Sequence, residues 1–444
     1  MNLTKRFLLA ALLVGLSGGL ADYRWLAAAE PSGADQYETK PDDPFFAKFN
    51  PKKAPAPAGL LLKPGDQLAI CGDSITEQKM YSRIMETYLT VCVPQLRVTV
   101  RQYGWSGETA PGFLARMTND CLRFKPAVTT TCYGMNDHGY RPYEPAIGQR
   151  YREASTAIVR AFKQAGARVV QGSPGCVGTK VPWSTNAAEA MNLSLCELRN
   201  IGLDLAAQEH ARFADVFWPM LTSGFAAQQK FGADYAIAGK DAVHPDWAGH
   251  LVMAYAFLKA LGLDGDIGTL SVDLKANRAT ASSGHQVRSF KNGELTITSS
   301  RYPFCAGGAT NKDNSIRSGM ALVPFNQELN RLLLVVKDSG SQSYKVTWGA
   351  NSCTYSAQQL AKGVNLAEDF VTNPFSAAFA KVDAAVAAKQ AYETRQIKLL
   401  FHGEEGRADM ETTAALTEKV RAQFAAAIVA AFQPVTHTLK IEPE

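Results

Sequence analysis

A three-layer α/β/α core around a five-stranded parallel sheet is the fold class this chain predicts, and three features point to it. Short apolar runs alternate with segments of helical period from about residue 65 to residue 263. The runs end in Gly, Pro, Asn or Asp, the residues that turn a chain. No sustained antiparallel alternation appears before about residue 270, where the texture changes.

The strands are read in order as "QLAICG" (67–72), "LRVTVRQY" (96–103), "AVTTTCYG" (127–134), "ARVVQGSP" (167–174) and "ARFADVFWP" (211–219). Between them lie "KMYSRIMETYLTVCV" (79–93), "GFLARMTNDCLRF" (112–124), "YREASTAIVRAFKQAG" (151–166) and "AEAMNLSLCELRNIGLDLAAQEHA" (188–211), with apolar residues three and four apart. A last helix, "AGHLVMAYAFLKALG" (248–262), closes the unit, so a core domain is placed at 65–268. Beyond it, "GELTITSS", "RLLLVVKD" and "YKVTWG" alternate as antiparallel strands would, separated by "KNG" and "DSGSQS". These make a smaller β-rich accessory unit at 269–365. The Ala-rich tract from about 375 to 432 reads as amphipathic helix able to pack back on the core, giving a helical C-terminal segment at 366–444.

At 444 residues and 46% hydrophobic content the chain can bury a large core, which excludes a disordered or fibrous class. A net charge of +5 with interspersed signs leaves no basic stripe for nucleic acid. Lys5 and Arg6 precede an apolar stretch too short and Gly-rich to span a bilayer securely, so 1–29 reads as an export signal with cleavage near Ala27, Ala28 and Ala29, or alternatively after Ala21. The expected location is periplasmic or extracellular, with no stable membrane insertion once the signal is removed; a retained anchor is the competing reading. Residues 30–64, dense in Pro, Asp, Lys and Ala, form an extended lead-in that wraps a surface or stays mobile. Of the eight cysteines, Cys71 and Cys132 lie in strand-like runs and read as small hydrophobes. Cys176 with Cys196, and Cys305 with Cys353, are the expected disulfides.

In open parallel sheets, functional groups gather beyond the carboxyl ends of the strands. The first strand runs into "GDSIT". Gly-Asp-Ser alone is what any helix N-cap prefers, and Asp73 reads as such a cap as well as a neighbour of substrate. The second strand runs into "YGWSGETA", whose glycines allow close approach of backbone N–H groups, and the third ends in "YGMNDHGY", which presents the Asn136 amide. After the fifth comes "DAVHPDWAGH", with Asp241 and His244 three apart just before a helix. An alcohol at its ordinary pKa needs a base, and an imidazole held in one tautomer by a carboxylate is one. Ser74, His244 and Asp241 fit nucleophile, base and orienting acid, while the Ser74 N–H, the Gly107 N–H and the Asn136 amide fit an oxyanion hole.

These blocks, "GDSIT", "SGET", "GMND" and "DAVHP", resemble the four conserved blocks of the SGNH, or GDSL-like, hydrolases, with Ser74, Gly107, Asn136 and His244 as the four named residues and Asp241 as the acid three before the histidine. The resemblance spans about residues 65–265. It implies a flavodoxin-like sheet and an esterase. Gln102 stands where the second block often begins with Asn, and Met135 where the third commonly has a second Gly; neither is a reacting group, so the departures bear on substrate shape.

Other chemistries fit less well. Asp73, His138, Asp241, His244, Asp246 and His250 offer metal-ligand types, yet no His-Glu-x-x-His or paired-Cys spacing is present. No Walker-type loop or Gly-x-Gly-x-x-Gly turn follows a strand. Trp105, Tyr140, Tyr143, Trp183 and Trp247 are placed near the mouth, where they stack on sugar rings or simply pack; Asp73, Trp105, His138, Tyr140 and Trp247 are the expected substrate contacts. The expectation is an exported serine esterase that needs no cofactor or metal and removes small acyl groups, acetyl foremost, from a polysaccharide. A lipid or thioester acylhydrolase, and a catalytically silent carbohydrate-binding protein of the same fold, are the alternatives.

Overall fold

The computed structural model describes residues 36–337 and 340–444. The export signal and the first residues of the lead-in lie outside the described residues. Residues 37–444 form one compact unit.

At its centre is a parallel sheet of β1 (Gln67–Gly72), β2 (Thr99–Gln102), β3 (Val128–Cys132), β4 (Arg168–Gly172) and β5 (Arg212–Ala214), in the order β2-β1-β3-β4-β5. In β1, Leu68 and Ile70 face one apolar core while Ala69 and Cys71 face the other, as a sheet covered on both sides requires. The connecting helices are α1 (Ser74–Glu77), α2 (Tyr81–Val91), α3 (Ala110–Asp120), α4 (Pro145–Gln164), α5 (Ala188–Gln208), α6 (Phe217–Phe231) and α7 (Trp247–Ala260). The sequence reading of 211–219 as one strand is corrected here. β5 stops at Ala214, and "FWP" opens α6, with Pro219 in the first turn where its missing N–H costs nothing.

The lead-in wraps the surface. Phe46 and Phe49 are fully buried, packing with Phe217, Trp218 and Phe225, and the Lys52 N–H donates to Asn200 at 2.9 Å.

After α7 come two more sheets. One runs in the order Val364–Asn365, Arg331–Lys337, Asp266–Asp273, Arg278–Ala281. Its two central strands pair parallel, where antiparallel alternation was expected, because the helices Ile316–Leu322 and Phe325–Leu329 lie on the connection between them and carry the chain back across. In the other sheet the last strand, Val435–Pro443, lies between Ser343–Trp348 and Glu294–Ser299. The C-terminal segment is therefore helical only as far as Ala431 and ends as a central strand.

The helix Ser376–Arg395 departs from a simple apolar-in pattern. It buries Lys389, Gln390 and Glu393 over the open edge of β2. Lys389 Nζ and Arg421 Nη2 donate to the Val100 carbonyl at 2.6 and 2.9 Å, and the Gln102 N–H donates to Glu393 at 3.2 Å. An exposed edge strand is a pairing hazard, and these side chains satisfy backbone groups that a sixth strand would otherwise take. Lys389 pairs with Glu86 and Glu393 at 3.0 and 2.7 Å, so the buried charges compensate one another.

All eight cysteines are free. The expected pairs Cys176–Cys196 and Cys305–Cys353 are not formed: Cys176 and Cys196 are separately buried in the apolar core, Cys305 lies against Asn373, and Cys353 lies against the Asp369 carbonyl.

Candidate active site

Ser74 opens α1 at the carboxyl end of β1, and Asp73 caps that helix by accepting the Ile75 N–H at 2.9 Å. Burial pushes the Asp73 carboxyl up to about 7. Asp73 is 2% exposed, so the expectation that it touches substrate is corrected to a capping role.

His244 comes from the turn before α7. Its Nε2 is 2.7 Å from Ser74 Oγ, and its Nδ1 is 2.7 Å from Asp241 Oδ2. The other carboxylate oxygen of Asp241 accepts the N–H groups of Val243 and His244 at 3.0 and 2.8 Å. Burial acts to raise the Asp241 carboxyl, but the three donors outweigh it and hold the group below its usual range. His244 and Asp241 side chains keep 30% and 36% of their exposure, so the site is open to a ligand. The Ser74 turn and the His244 turn are joined by Gln78, whose Nε2 donates to the Pro245 carbonyl at 3.3 Å and whose Oε1 lies 3.0 Å from His250 Nε2. His250 thus serves packing: it is fully buried, and its Nδ1 accepts the Tyr81 N–H at 3.3 Å.

The loop after β2 presents Gly107 at φ +74°, a left-handed conformation that costs a residue with a Cβ about 1–2 kcal/mol. Gly104, two residues past β2, lies so close to α1 that a Cβ there would stand 2.1 Å from the Glu77 nitrogen. Asn136 Nδ2 donates to the Glu108 carbonyl at 3.0 Å and its Oδ1 accepts the Tyr140 hydroxyl at 3.2 Å, which fixes the amide and leaves one N–H unspent. Asp137 accepts the Ala110 and Gly134 N–H groups, both at 2.9 Å, joining this block to the start of α3. The arrangement can therefore pass a proton from an alcohol oxygen to a carboxylate-oriented imidazole, and the Gly107 and Asn136 loops follow the two strands that flank β1.

The remaining expected contacts divide. Tyr140 stays at the site: its ring lies edge-on to Trp183 at 5.5 Å, and Trp183 is 52% exposed with its ring 6.4 Å from that of His244. His138 is fully buried with Nδ1 against the Met135 carbonyl, and burial pulls it down to about 4; it is too enclosed to touch substrate. Trp105 is occupied by Arg116 and Lys398 over its ring and by the edge of His402. Trp247 carries Arg83 over its ring, and Tyr143 packs on Gly148. Sequence order alone had grouped these aromatics. The residues sequence reasoning missed are Glu77, which accepts the Ser106 N–H at 2.5 Å, and Arg116, which clamps Glu108 through two bonds of 2.6 Å. The Glu and Arg eight apart in "GETAPGFLAR" were the available signal.

Residues 70–252 match the GDSL-like Lipase/Acylhydrolase family. This domain belongs to the SGNH, or GDSL-like, hydrolases. The protein is accordingly a carboxylic ester hydrolase. An acetylxylan esterase of Geobacillus stearothermophilus is 25% identical over 218 residues, covering 45% of this chain and 95% of the relative. A solved structure of a gut microbial diltiazem-metabolizing enzyme superposes with a TM-score of 0.71 at 21% identity, covering 88% of this chain and 100% of the other. That likeness extends the shared fold well past the hydrolase domain, into the added sheets and helices.

Proposed function

We propose that the protein is an exported serine esterase that hydrolyses small O-acyl esters, acetyl foremost, on a carbohydrate, with Ser74, His244 and Asp241 as its catalytic residues. One observation carries the chemistry: the unbroken path Ser74 Oγ, His244 Nε2, His244 Nδ1, Asp241 Oδ2, in which both hydrogen bonds to the ring are 2.7 Å. The acetyl-carbohydrate reading draws support from the acetylxylan esterase relative and from the Tyr140–Trp183 pair beside His244, a surface on which a sugar ring can stack. Export rests on residues 1–29.

Ser74 Oγ adds to the acyl carbon and gives its proton to His244 Nε2. The carbonyl oxygen, now negative, takes hydrogen bonds from the Ser74 and Gly107 N–H groups and the free Asn136 N–H, donors worth about 3–4 kcal/mol each when one is removed. The tetrahedral adduct collapses, and the departing alcohol leaves with the Nε2 proton. Water then gives a proton to the same nitrogen, its oxygen adds to the acyl-serine, and Ser74 leaves reprotonated with release of the acid. Asp241 keeps the Nδ1 proton in place throughout.

Released acetate from acetylated xylo-oligosaccharides, compared with turnover of octanoyl and longer esters, tests the reading. Acetyl turnover that is lost in folded Ser74→Ala supports it. A clear preference for long chains would replace it with a lipid acylhydrolase.

A further inference from the structure

Gly107 has no neighbour within 4 Å of where a Cβ would stand, so its Cβ side is open, and the residues flanking it carry the anchoring contacts. Glu108 is held from within the hydrolase domain, by Arg116 and by the Tyr133 hydroxyl at 3.1 Å. Ser106 is exposed and is held differently. Its N–H and Oγ donate to one oxygen of Glu77 at 2.5 and 2.7 Å, and Lys398 Nζ lies 2.7 and 2.9 Å from the two oxygens of the same carboxylate. Lys398 Nζ also lies 5.3 Å from the centre of the Trp105 ring, and the next turn of chain brings His402 edge-on to that indole at 4.9 Å. His402 is anchored in turn, with Nε2 2.8 Å from Asp120, which pairs with Arg116 at 3.2 Å.

Lys398 belongs to a wide-turned helical stretch, Gln396–Phe401, and His402 ends it. Such π-type turns are uncommon and recur at functional sites. The stretch lies outside the matched residues 70–252, yet it grips the loop between β2 and α3.

We propose that Lys398 is a positioning residue for ester hydrolysis: through Glu77 it fixes the Ser106–Gly107 peptide so that the Gly107 N–H stands ready for the oxyanion, and His402 steadies Trp105 in the same loop. The inference rests on the reading that Gly107 donates to that oxyanion. Burial acts to raise the Glu77 carboxyl, but Lys398 and Ser106 more than offset it and hold the group ionised. Without the ammonium, Glu77 keeps the burial and loses its cation, so its hold on Ser106 weakens.

The test uses the full chain and 4-nitrophenyl acetate. Removing one oxyanion donor costs about 10²–10³ in kcat, and loosening one should cost less. Lys398→Met should lower kcat about 10–100-fold with KM within about twofold of wild type. Glu77→Gln, which retains an acceptor for Ser106 but loses the ion pair, should give the same signature. Lys398→Arg should recover most of the rate. A boronic acid that mimics the tetrahedral adduct should bind Lys398→Met more weakly by the factor lost in kcat/KM, while inhibition by acetate stays unchanged. Unchanged kcat and boronate affinity in both variants would overturn the proposal, as would equal weakening of boronate and acetate. Full turnover by Ser74→Ala would instead remove the reading beneath it.

Discussion

Replacing Asp241 by Asn changes one oxygen to an NH2 group, and the structure makes the consequence specific. Three donors converge on the carboxylate: the N–H groups of Val243 and His244 on Oδ1, and His244 Nδ1 on Oδ2. An amide has a single acceptor oxygen. If that oxygen keeps the two backbone bonds, the NH2 faces Nδ1 and forces the imidazole to carry its proton on Nε2, where it confronts the Ser74 hydroxyl with a donor. If the amide flips, the NH2 meets two backbone N–H groups instead. Two backbone bonds outweigh one, so the wrong tautomer wins, and kcat should fall about 10⁴-fold, roughly 5 kcal/mol of barrier. Ser74→Ala should lose about 10⁶. Asp241→Ala should be no worse than Asn, because at 36% exposure a water can enter and accept the Nδ1 proton. Initial rates on 4-nitrophenyl acetate, with melting temperatures to confirm folding, measure all three. An Asn variant within tenfold of wild type, or one far more active than Ala, would refute the tautomer argument.

Gly104→Ala should cost about 1–3 kcal/mol in urea unfolding and depress kcat, since the new Cβ meets α1 backbone rather than a yielding side chain; a variant with wild-type stability and rate would mean the loop can retreat freely. Trp183→Ala should raise KM for an acetylated oligosaccharide roughly two- to tenfold, the worth of one stacking contact, without altering the rate on nitrophenyl acetate; unchanged KM would remove Trp183 from the sugar surface. Burial pulls His138, His250 and His437 down to about 4, 3 and 3, and lowers His285 too. Below about 6.5 the unfolded chain takes up protons that these native imidazoles refuse, so stability falls as pH drops. Asp73 and Asp137, pushed by burial up to about 7 and about 6, act the other way, since the native state binds their protons first. Burial raises Glu86, Glu108, Glu197 and Glu368 as well, so the imidazole contribution is isolated by substitution: the melting temperature of wild type minus that of His437→Asn should fall between pH 7 and pH 5, and a difference that does not change with pH would contradict the buried neutral assignment.

The hydrolase core was legible because its signals are local. Each central strand is a short apolar run ending in a turn, and Ser74, Gly107, Asn136 and His244 sit at those ends in an order that topology alone brings together. The aromatic rim was overread: proximity in sequence to the motifs placed Trp105 and Trp247 at the mouth, but cations cover both rings. What sequence could not show depends on partners far along the chain. The last strand lies between two others more than ninety residues away, the Lys389 face of its helix is polar because it meets a sheet edge, and Lys398 reaches Glu77 from 321 positions off. No window of periodicity carries that information.

The central claim is that Ser74 Oγ is the acyl-accepting atom, activated by His244. Peptide mass spectrometry after brief exposure of the purified protein to a fluorophosphonate tests it directly. The account predicts one phosphonyl group on Ser74, formed in step with loss of esterase activity and nearly absent in His244→Ala. Esterase activity abolished with Ser74 unlabelled, or Ser74 labelled equally fast without the imidazole, would contradict it.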